Sequence, residues 1–163
     1  MDNIEKELEA GRAVILPTET VYGIFAKALD QEAVDYIYEL KRRPRDKALN
    51  LNVADEKTIR IYSKNQPSYL TKLIHSFLPG PLTIILQAND KVPDWIHSGL
   101  DTVGVRIPAH PKTLELIRKY GPLVGPSANL SGHASGTKYE AIVSEFDQVV
   151  PGIEDDDFLT GQD

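Results

Sequence analysis

The sequence predicts an α/β or α+β fold, in which helices pack on one sheet. Short apolar runs typical of buried strands alternate along the chain with segments whose apolar residues recur every three or four positions, as on one face of a helix. The hydrophobic fraction is 41% and the charged fraction 26%, which are ordinary values for a globular domain. Neither an internal repeat nor a linker rich in Gly and Ser divides the 163 residues, so we expect a single domain over residues 1–163.

The predicted strands are short apolar runs that end at proline, glycine or a polar residue. The first of them is apolar throughout and stops at Pro17, as a buried strand does. The second alternates apolar and polar positions, which is typical of a half-buried strand. The five expected strands are residues 13–16, 48–53, 82–86, 102–107 and 122–124.

The predicted helices are located by residues that favour a helix start or stop. Asp30 and Asp55 can accept hydrogen bonds from the first main-chain N–H groups of a helix. Thr137 and Glu140 have the spacing of a capping box, which predicts a helix through Phe146. The expected starts are Asn3, Asp30, Asp55, Pro67, Pro111 and Thr137, and the expected stops include Gly11 and Gly121.

Composition excludes several kinds of site. The chain has no cysteine, which excludes disulfides, thiolate metal sites and cysteine nucleophiles. The histidines show no metal-ligand spacing, so we expect no metal site; they are His75, His97, His110 and His133. The N-terminal residues are charged, and no apolar run approaches the roughly 20 residues that span a bilayer. We therefore expect a cytoplasmic protein with no membrane partner.

The charge is negative overall, but one segment is strongly basic. The net charge of −6 disfavours a broad nucleic-acid-binding face. Five of the 18 Lys and Arg residues nevertheless fall within seven positions: Lys41, Arg42, Arg43, Arg45 and Lys47. This basic cluster suits a small polyanion such as a nucleoside triphosphate. The alternative is that these cations only complement the C-terminal end of a helix and stay solvated.

Four polar segments follow or end predicted strands: residues 17–23, 41–47, 102–106 and 125–135. Ligands bind beside strand ends in open α/β sheets, so these segments can converge on one site. The last segment offers small residues with hydroxyl and amide groups, which can approach a ligand closely but are also common in ordinary loops. The motifs of phosphate loops, dinucleotide sites, zinc proteases and nucleophile elbows are absent.

Five motifs, in order, resemble those of the YrdC/Sua5 threonylcarbamoyl-adenylate synthases. They are PTETVYG at 17–23, KRRP at 41–44, PGPLT at 79–83, VGVRIP at 103–108 and GPSANLSG at 125–132. The resemblance covers nearly the whole chain and implies a twisted, mostly parallel open sheet, flanked by helices around a concave basic pocket. It implies a nucleotidyltransferase that makes threonylcarbamoyl-AMP and pyrophosphate from L-threonine, bicarbonate or CO2, and ATP. Separate downstream proteins then use this product to build N6-threonylcarbamoyladenosine in tRNA.

The resemblance also implies roles for individual residues. Lys41 and Arg43 would be catalytic by holding and neutralising phosphates, because the reaction brings two anions together. Arg106 would clamp the threonine carboxylate with two hydrogen bonds, although a surface arginine at a strand end is the alternative. ATP would be bound by Arg43, Lys47, Thr102, Ser127 and Ser135, and threonine by Thr20, Asn52 and Arg106, while Asn129 would brace its own loop. We expect Mg2+ to arrive with the phosphates.

The chain departs from the family pattern at several points. Glu19 stands where many members have Asp, Ala48 replaces a common proline, and Asn52 stands where some members place a histidine near threonine. The family usually continues with a Ser-Thr-containing strand, so we expect its last strand to be missing here and activity to be reduced. Two alternative functions stay open. One is an RNA-binding module that uses the basic concave surface, with RNA or tRNA as its partner. The other is a carbamoyl-transfer domain of the hydrogenase-maturation type, which belongs to much longer, zinc-containing chains.

Overall fold

The computed structural model describes residues 2–130, 136–147 and 149–161. Within these residues, seven strands form one sheet, with a hydrophobic core on each face. The strands are β1 (Val14–Leu16), β2 (Gly23–Lys27), β3 (Leu51–Asn52), β4 (Ser63–Lys64), β5 (Ile84–Ala88), β6 (Thr102–Arg106) and β7 (Leu123–Val124). This architecture confirms the α/β prediction.

The sheet is mixed, and most of its pairs are antiparallel. Its order is β1-β2-β7-β3-β6-β5-β4. Among the described strands, β3 and β6 form the one parallel pair, and the other five neighbouring pairs are antiparallel. The expectation of a mostly parallel sheet is therefore wrong for this chain. Part of the reason is that β1 and β2 are joined by residues 17–22 alone, whereas a parallel pair needs a crossover of about a dozen residues or more.

Helices occupy most of the connections between strands. They are α1 (Asp2–Glu9), α2 (Gln31–Lys41), α3 (Glu56–Ile61), α4 (Leu70–Phe77), α5 (Asp94–His97), α6 (Pro111–Tyr120) and α7 (Tyr139–Glu145), with a 3-10 turn at Asp156–Phe158. The predicted caps Asp30 and Asp55 are confirmed, since each side chain accepts main-chain N–H groups of its helix. In the described part of the chain, no helix has the length and apolar character needed to cross a bilayer.

Two predicted caps are wrong. Asn3 lies inside α1, which already includes residue 2. Thr137 does not cap α7, because the cap position is occupied by Lys138, whose side chain makes no capping hydrogen bond. The first main-chain N–H of α7, that of Tyr139, instead donates to a carboxylate oxygen of Asp156 at 2.9 Å. A tertiary contact therefore does what the local capping box was expected to do.

Strand β2 was not predicted, although it pairs with both β1 and β7. Its side chains, like those of β1, alternate between the two cores. Ile15 and Ile24 lie in the larger core, which includes residues of α2, whereas Leu16 and Phe25 lie in the smaller core with α1 and α6. The sequence shows β2 only as a short apolar run after a polar turn, which explains why the strand was missed.

One face of the sheet stays uncovered near β3, β5 and β6, and this opening positions the site. Leu51 and Val105 point into the larger core. The alternate residues Asn52 and Arg106 therefore point to the opposite face, where they are neighbours in the parallel register. Ile85 of β5 is 62% exposed, so none of the described helices packs over this part of the sheet.

Candidate active site

A cavity of about 210 Å3 opens on this uncovered face, beside the parallel strands β3 and β6. Three of the four polar segments line it, through Arg43, Arg106, Gly125, Pro126 and Ser127, and Asn52 of β3 also lines it. The fourth segment, residues 17–23, reaches the site through Arg106, which contacts Glu19 and Thr20. The described residues therefore show the convergence that the sequence predicted.

Two glycines allow the loop after β7 to approach the end of β2. A Cβ atom on Gly125 would lie 2.3 Å from Cε1 of Phe25, and a Cβ atom on Gly23 would lie 2.5 Å from Cε2 of the same ring. Real Cβ contacts are not this short, so any larger residue would push the loop off the ring. Main-chain hydrogen bonds then fix the loop, since the N–H of Ala128 donates to the carbonyl of Tyr22 at 2.8 Å.

Lys41 is buried beneath this loop. It is the last residue of α2 and is 2% exposed. Its Nζ donates to the main-chain carbonyls of Ser127 at 2.5 Å and Asn129 at 2.7 Å. Burial of the ammonium group, with the adjacent charge of Arg43, lowers the pKa of Lys41 to about 8, although Glu145 acts in the opposite direction. The alternative that Lys41 is a solvated helix-end cation is wrong, and its role toward phosphate stays a prediction.

Arg43 lines the cavity, and one of its N–H groups has no hydrogen-bond acceptor among the described residues. Its Nη2 donates to the carbonyl of Ala48 at 2.8 Å. Its Nε is buried and has no hydrogen-bond acceptor among the residues that the structure describes. A buried donor without an acceptor costs about 1–3 kcal/mol. Because Arg43 lines the cavity, its positive charge favours an anionic ligand there.

The other cations of the basic cluster lie away from the cavity. Arg45 forms an ion pair with Asp35 at 2.6 Å and stacks over the ring of Tyr38 at 4.9 Å. Lys47 is exposed, and its side chain is not among the cavity-lining groups. The structure therefore divides the cluster, because it brings Arg43 to the site and does not bring Lys47 there.

Arg106 is held in place by three protein groups. Its Nε donates to the carbonyl of Gly80 at 3.1 Å, and its Nη2 forms an ion pair with Oε1 of Glu19. Nη2 also approaches Oγ1 of Thr20 at 3.4 Å, and Thr20 in turn contacts Thr18. The guanidinium is not a free surface cation, and the edge formed by Nε and Nη2 is already occupied. The contact between Glu19 and Arg106 was not predicted from the sequence, although the place of Glu19 beside Thr20 was a usable signal.

Some of the remaining predicted residues line the cavity, and others do not. Asn52 lines the cavity, is 5% exposed, and donates from Nδ2 to the carbonyl of Leu123 at 3.4 Å. Asn129 donates from Nδ2 to the carbonyl of Leu130 at 2.9 Å, within its own loop. Thr102 is the first residue of β6 and is not among the lining residues. Ser135 lies outside the described residues.

No described group of side chains has the composition of a metal site. Within residues 2–130, 136–147 and 149–161, no three His, Asp or Glu side chains form a cluster that could hold a metal ion. The cations at the cavity suit an anion instead.

Comparisons with known proteins agree with this arrangement. A family model described as telomere recombination, whose name joins Sua5, YciO and YrdC, matches residues 6–162. The chain is 42% identical over 140 residues to threonylcarbamoyl-AMP synthase of Pyrococcus abyssi (strain GE5 / Orsay), covering 85% of this chain and 41% of that protein. It is 41% identical over 150 residues to threonylcarbamoyl-AMP synthase of Bacillus subtilis (strain 168), covering 91% and 43%. The chain spans less than half the length of these two relatives.

Solved structures show the same fold. The crystal structure of P. abyssi Sua5 complexed with L-threonine has a TM-score of 0.86 and 40% identity, over 92% of this chain and 44% of that chain. E. coli YciO, at 23% identity, has a TM-score of 0.82 over 98% of this chain and 78% of that chain, which supports the fold alone. Because the family model matches nearly the whole chain and two curated relatives exceed 40% identity, the chain belongs to the Sua5/YciO/YrdC family.

Proposed function

We propose that this chain has the threonylcarbamoyl-AMP synthase activity after which its P. abyssi and B. subtilis relatives are named. In this reaction L-threonine, bicarbonate and ATP give threonylcarbamoyl-AMP, pyrophosphate and water. One observation carries the proposal: a single cavity contains both Arg43 and Arg106, two cationic groups for two anionic substrates. L-threonine is also the ligand of the P. abyssi Sua5 structure, which is 40% identical to this chain.

The chemistry requires the two anions to be held side by side. The amine of threonine combines with CO2 derived from bicarbonate to give a carbamate, and a carbamate oxygen attacks the α-phosphorus of ATP. The bond from this phosphorus to the oxygen that bridges to the β-phosphate breaks, and pyrophosphate leaves with the electron pair. We assign the phosphates to Arg43 and the threonine carboxylate to Arg106, because a guanidinium matches both anions geometrically. Positioning and charge neutralisation then lower the barrier.

Lys41 has a second task in this proposal. Two of the three N–H groups on its ammonium hold the loop at Ser127 and Asn129. Lys41 is 2% exposed and does not line the cavity, so its charge would act on the phosphates from beneath this loop. Arg43 lines the cavity and adds a second cation beside the proposed phosphate.

The size of the cavity limits what it can enclose. At about 210 Å3 it is smaller than the roughly 300–1,000 Å3 of typical sites for drug-sized ligands. We place threonine and the reacting α-phosphate inside it, with the nucleoside extending past Ser127. Mg2+ is proposed to arrive with the phosphates, since it is usually bound through one or two carboxylates together with substrate phosphates and water.

The wider role follows from the product. Threonylcarbamoyl-AMP is an activated mixed anhydride, so we propose that separate cytoplasmic proteins consume it to modify tRNA. We further propose that the chain acts as one YrdC-like domain, which is supported by the single sheet that runs from β1 to β7.

ATP–pyrophosphate exchange, measured with and without L-threonine and bicarbonate, tests the proposal. We expect exchange, and formation of threonylcarbamoyl-AMP, only when both are present. ATP turnover that is indifferent to threonine would overturn the synthase assignment. A salt-dependent affinity for RNA that ATP does not abolish would instead support the RNA-binding alternative.

A further inference from the structure

Glu19 contacts Arg106 without lining the cavity. Its Oε1 pairs with Nη2 of Arg106, and its Oε2 accepts the main-chain N–H of Ala109 at 2.6 Å. Its own carbonyl accepts the N–H of Thr160 at 3.0 Å. The side chains of Glu19 and Arg106 are 17% and 14% exposed, so the pair is largely shielded from solvent. Because both carboxylate oxygens are engaged, Glu19 cannot turn toward a ligand without losing two hydrogen bonds.

The contacts of Arg106 leave one corner of its guanidinium unused. Nε is bound to Gly80, and Nη2 to Glu19 and, at longer range, to Thr20. None of the hydrogen bonds within the described residues uses Nη1, which carries two N–H groups. Since Arg106 lines the cavity, Nη1 is the donor that a ligand there can reach.

We propose that Glu19 is a positioning residue, which fixes the Arg106 guanidinium so that Nη1 is presented to the carboxylate of threonine. The identity of this ligand rests on the proposed function, whereas the fixing of Arg106 does not. Recognition then occurs through Nη1 rather than through the edge formed by Nε and Nη2. Removing one partner of a buried ion pair leaves the other charge uncompensated. Without Glu19, the Arg106 guanidinium is therefore free to pair with another anion.

The two anions of the reaction explain why such a restraint matters. ATP and threonine would share a cavity of about 210 Å3, so a mobile guanidinium could be drawn to the phosphates. Glu19 holds Arg106 at the end of β6, while Arg43 stands on the segment after α2. The pair therefore keeps one cation for each substrate, and its loss lets ATP compete for the group that threonine needs.

Initial rates with Glu19→Gln test this role, because glutamine keeps the shape and removes the charge. We expect the threonine concentration at half-maximal rate to rise about tenfold, which corresponds to 1.4 kcal/mol, and to rise further with ATP concentration. The ATP concentration at half-maximal rate should change by no more than about twofold. Glu19→Asp, which keeps the charge, should lose less than Glu19→Gln. Glu115→Gln is the matched control, since Glu115 is an exposed residue of α6. Equal losses for both substrates, or an Asp variant no better than the Gln variant, would overturn the proposal.

A double-mutant cycle separates action through Arg106 from a general effect on folding. In an Arg106→Lys background, Glu19→Gln should change the threonine response little further, because the group that it positions is already gone. Additive losses would mean that Glu19 acts independently of Arg106, and would overturn the proposal.

Nuclear magnetic resonance of the Arg106 side chain gives a readout that needs no substrate. We expect slow rotation and slow proton exchange of its Nη groups in the wild-type protein, and fast rotation in Glu19→Gln. Fast rotation in both proteins, or slow rotation in both, would overturn the proposal even where the synthase reaction is present. If the restraint is lost in the variant but no threonine-dependent reaction occurs in the wild type, the positioning role stands and the proposed function fails.

Discussion

Replacing Lys41 by methionine keeps most of the side-chain volume and removes one buried cation. Lys41 donates to the carbonyls of Ser127 and Asn129 at 2.5 and 2.7 Å. Hydrogen bonds to charged groups contribute about 1.5–3 kcal/mol each, so losing both would lower the free energy of unfolding by about 3–6 kcal/mol if nothing offset it. Relief of the buried charge does offset it, since burial lowers the pKa of Lys41 to about 8. We therefore expect a net loss of about 1–3 kcal/mol at neutral pH.

The same pKa shift predicts how this loss depends on pH. The folded protein releases the Lys41 proton near pH 8, whereas the unfolded chain keeps it until about 10.5. Between these values the unfolded state binds more protons, so the contribution of Lys41 to stability rises with pH. In this window, the difference in free energy of unfolding between the wild type and Lys41→Met should increase by at most about 1.4 kcal/mol per pH unit. Below it, the difference should be constant.

Urea unfolding of both proteins at a series of pH values measures both effects. Lys47→Met is the matched control, because Lys47 belongs to the same basic cluster but is exposed, and its change should stay within about 0.5 kcal/mol. A loss in Lys41→Met no larger than that in the control would refute the reasoning. So would a difference that does not grow as the pH rises above about 8.

Three further substitutions test the cavity. Arg43→Ala should weaken ATP binding by about 1.5–3 kcal/mol, as measured by titration calorimetry, and an unchanged affinity would contradict phosphate binding. Arg106→Lys should raise the threonine concentration at half-maximal rate more than that of ATP, because one ammonium group cannot keep the contacts with Gly80 and Glu19 and also present a fixed N–H group to the carboxylate. Equal changes would indicate a structural role only. Gly125→Ala places a carbon 2.3 Å from the ring of Phe25, so stability should fall by about 1–3 kcal/mol. An unchanged thermal midpoint would show that the loop can move aside at no cost.

Local signals in the sequence located several helix boundaries, because a cap or a helix stop acts within one turn, although the caps expected at Asn3 and Thr137 were wrong. Asp30 caps α2, Pro111 begins α6, and α6 ends at Gly121, all as predicted. Strand direction is different, since it depends on which distant segments meet. Strand β7 pairs with both β2 and β3, and no pattern within those short runs indicates that either pairing is antiparallel. For this reason the sheet was wrongly expected to be mostly parallel.

In the site, too, the sequence indicated which residues are involved but not which residues they contact. The sequence selected Arg43 and Arg106, and both line the cavity. It could not show that Arg106 pairs with Glu19, 87 residues away along the chain. It also could not show that Lys41 is buried, because the carbonyls that bind it lie 86 and 88 residues further on. The expected contact of Ser135 stays a prediction, as does the expected absence of a last strand.

The order of Arg106 depends on contacts that begin well outside the cavity. Asp156, in the 3-10 turn, accepts the hydroxyl of Tyr22 at 2.6 Å. Main-chain N–H groups just beyond this turn donate to the carbonyls of Glu19 and Thr20 at 3.0 and 2.8 Å. These bonds fix the backbone of the loop, and the side chains of the same two residues then contact Arg106. Each layer restricts the next, so the guanidinium is oriented before any ligand arrives. Such pre-organisation lowers the entropy cost of binding a ligand. This explains why residues 17–23 contact other parts of the protein and do not themselves line the cavity.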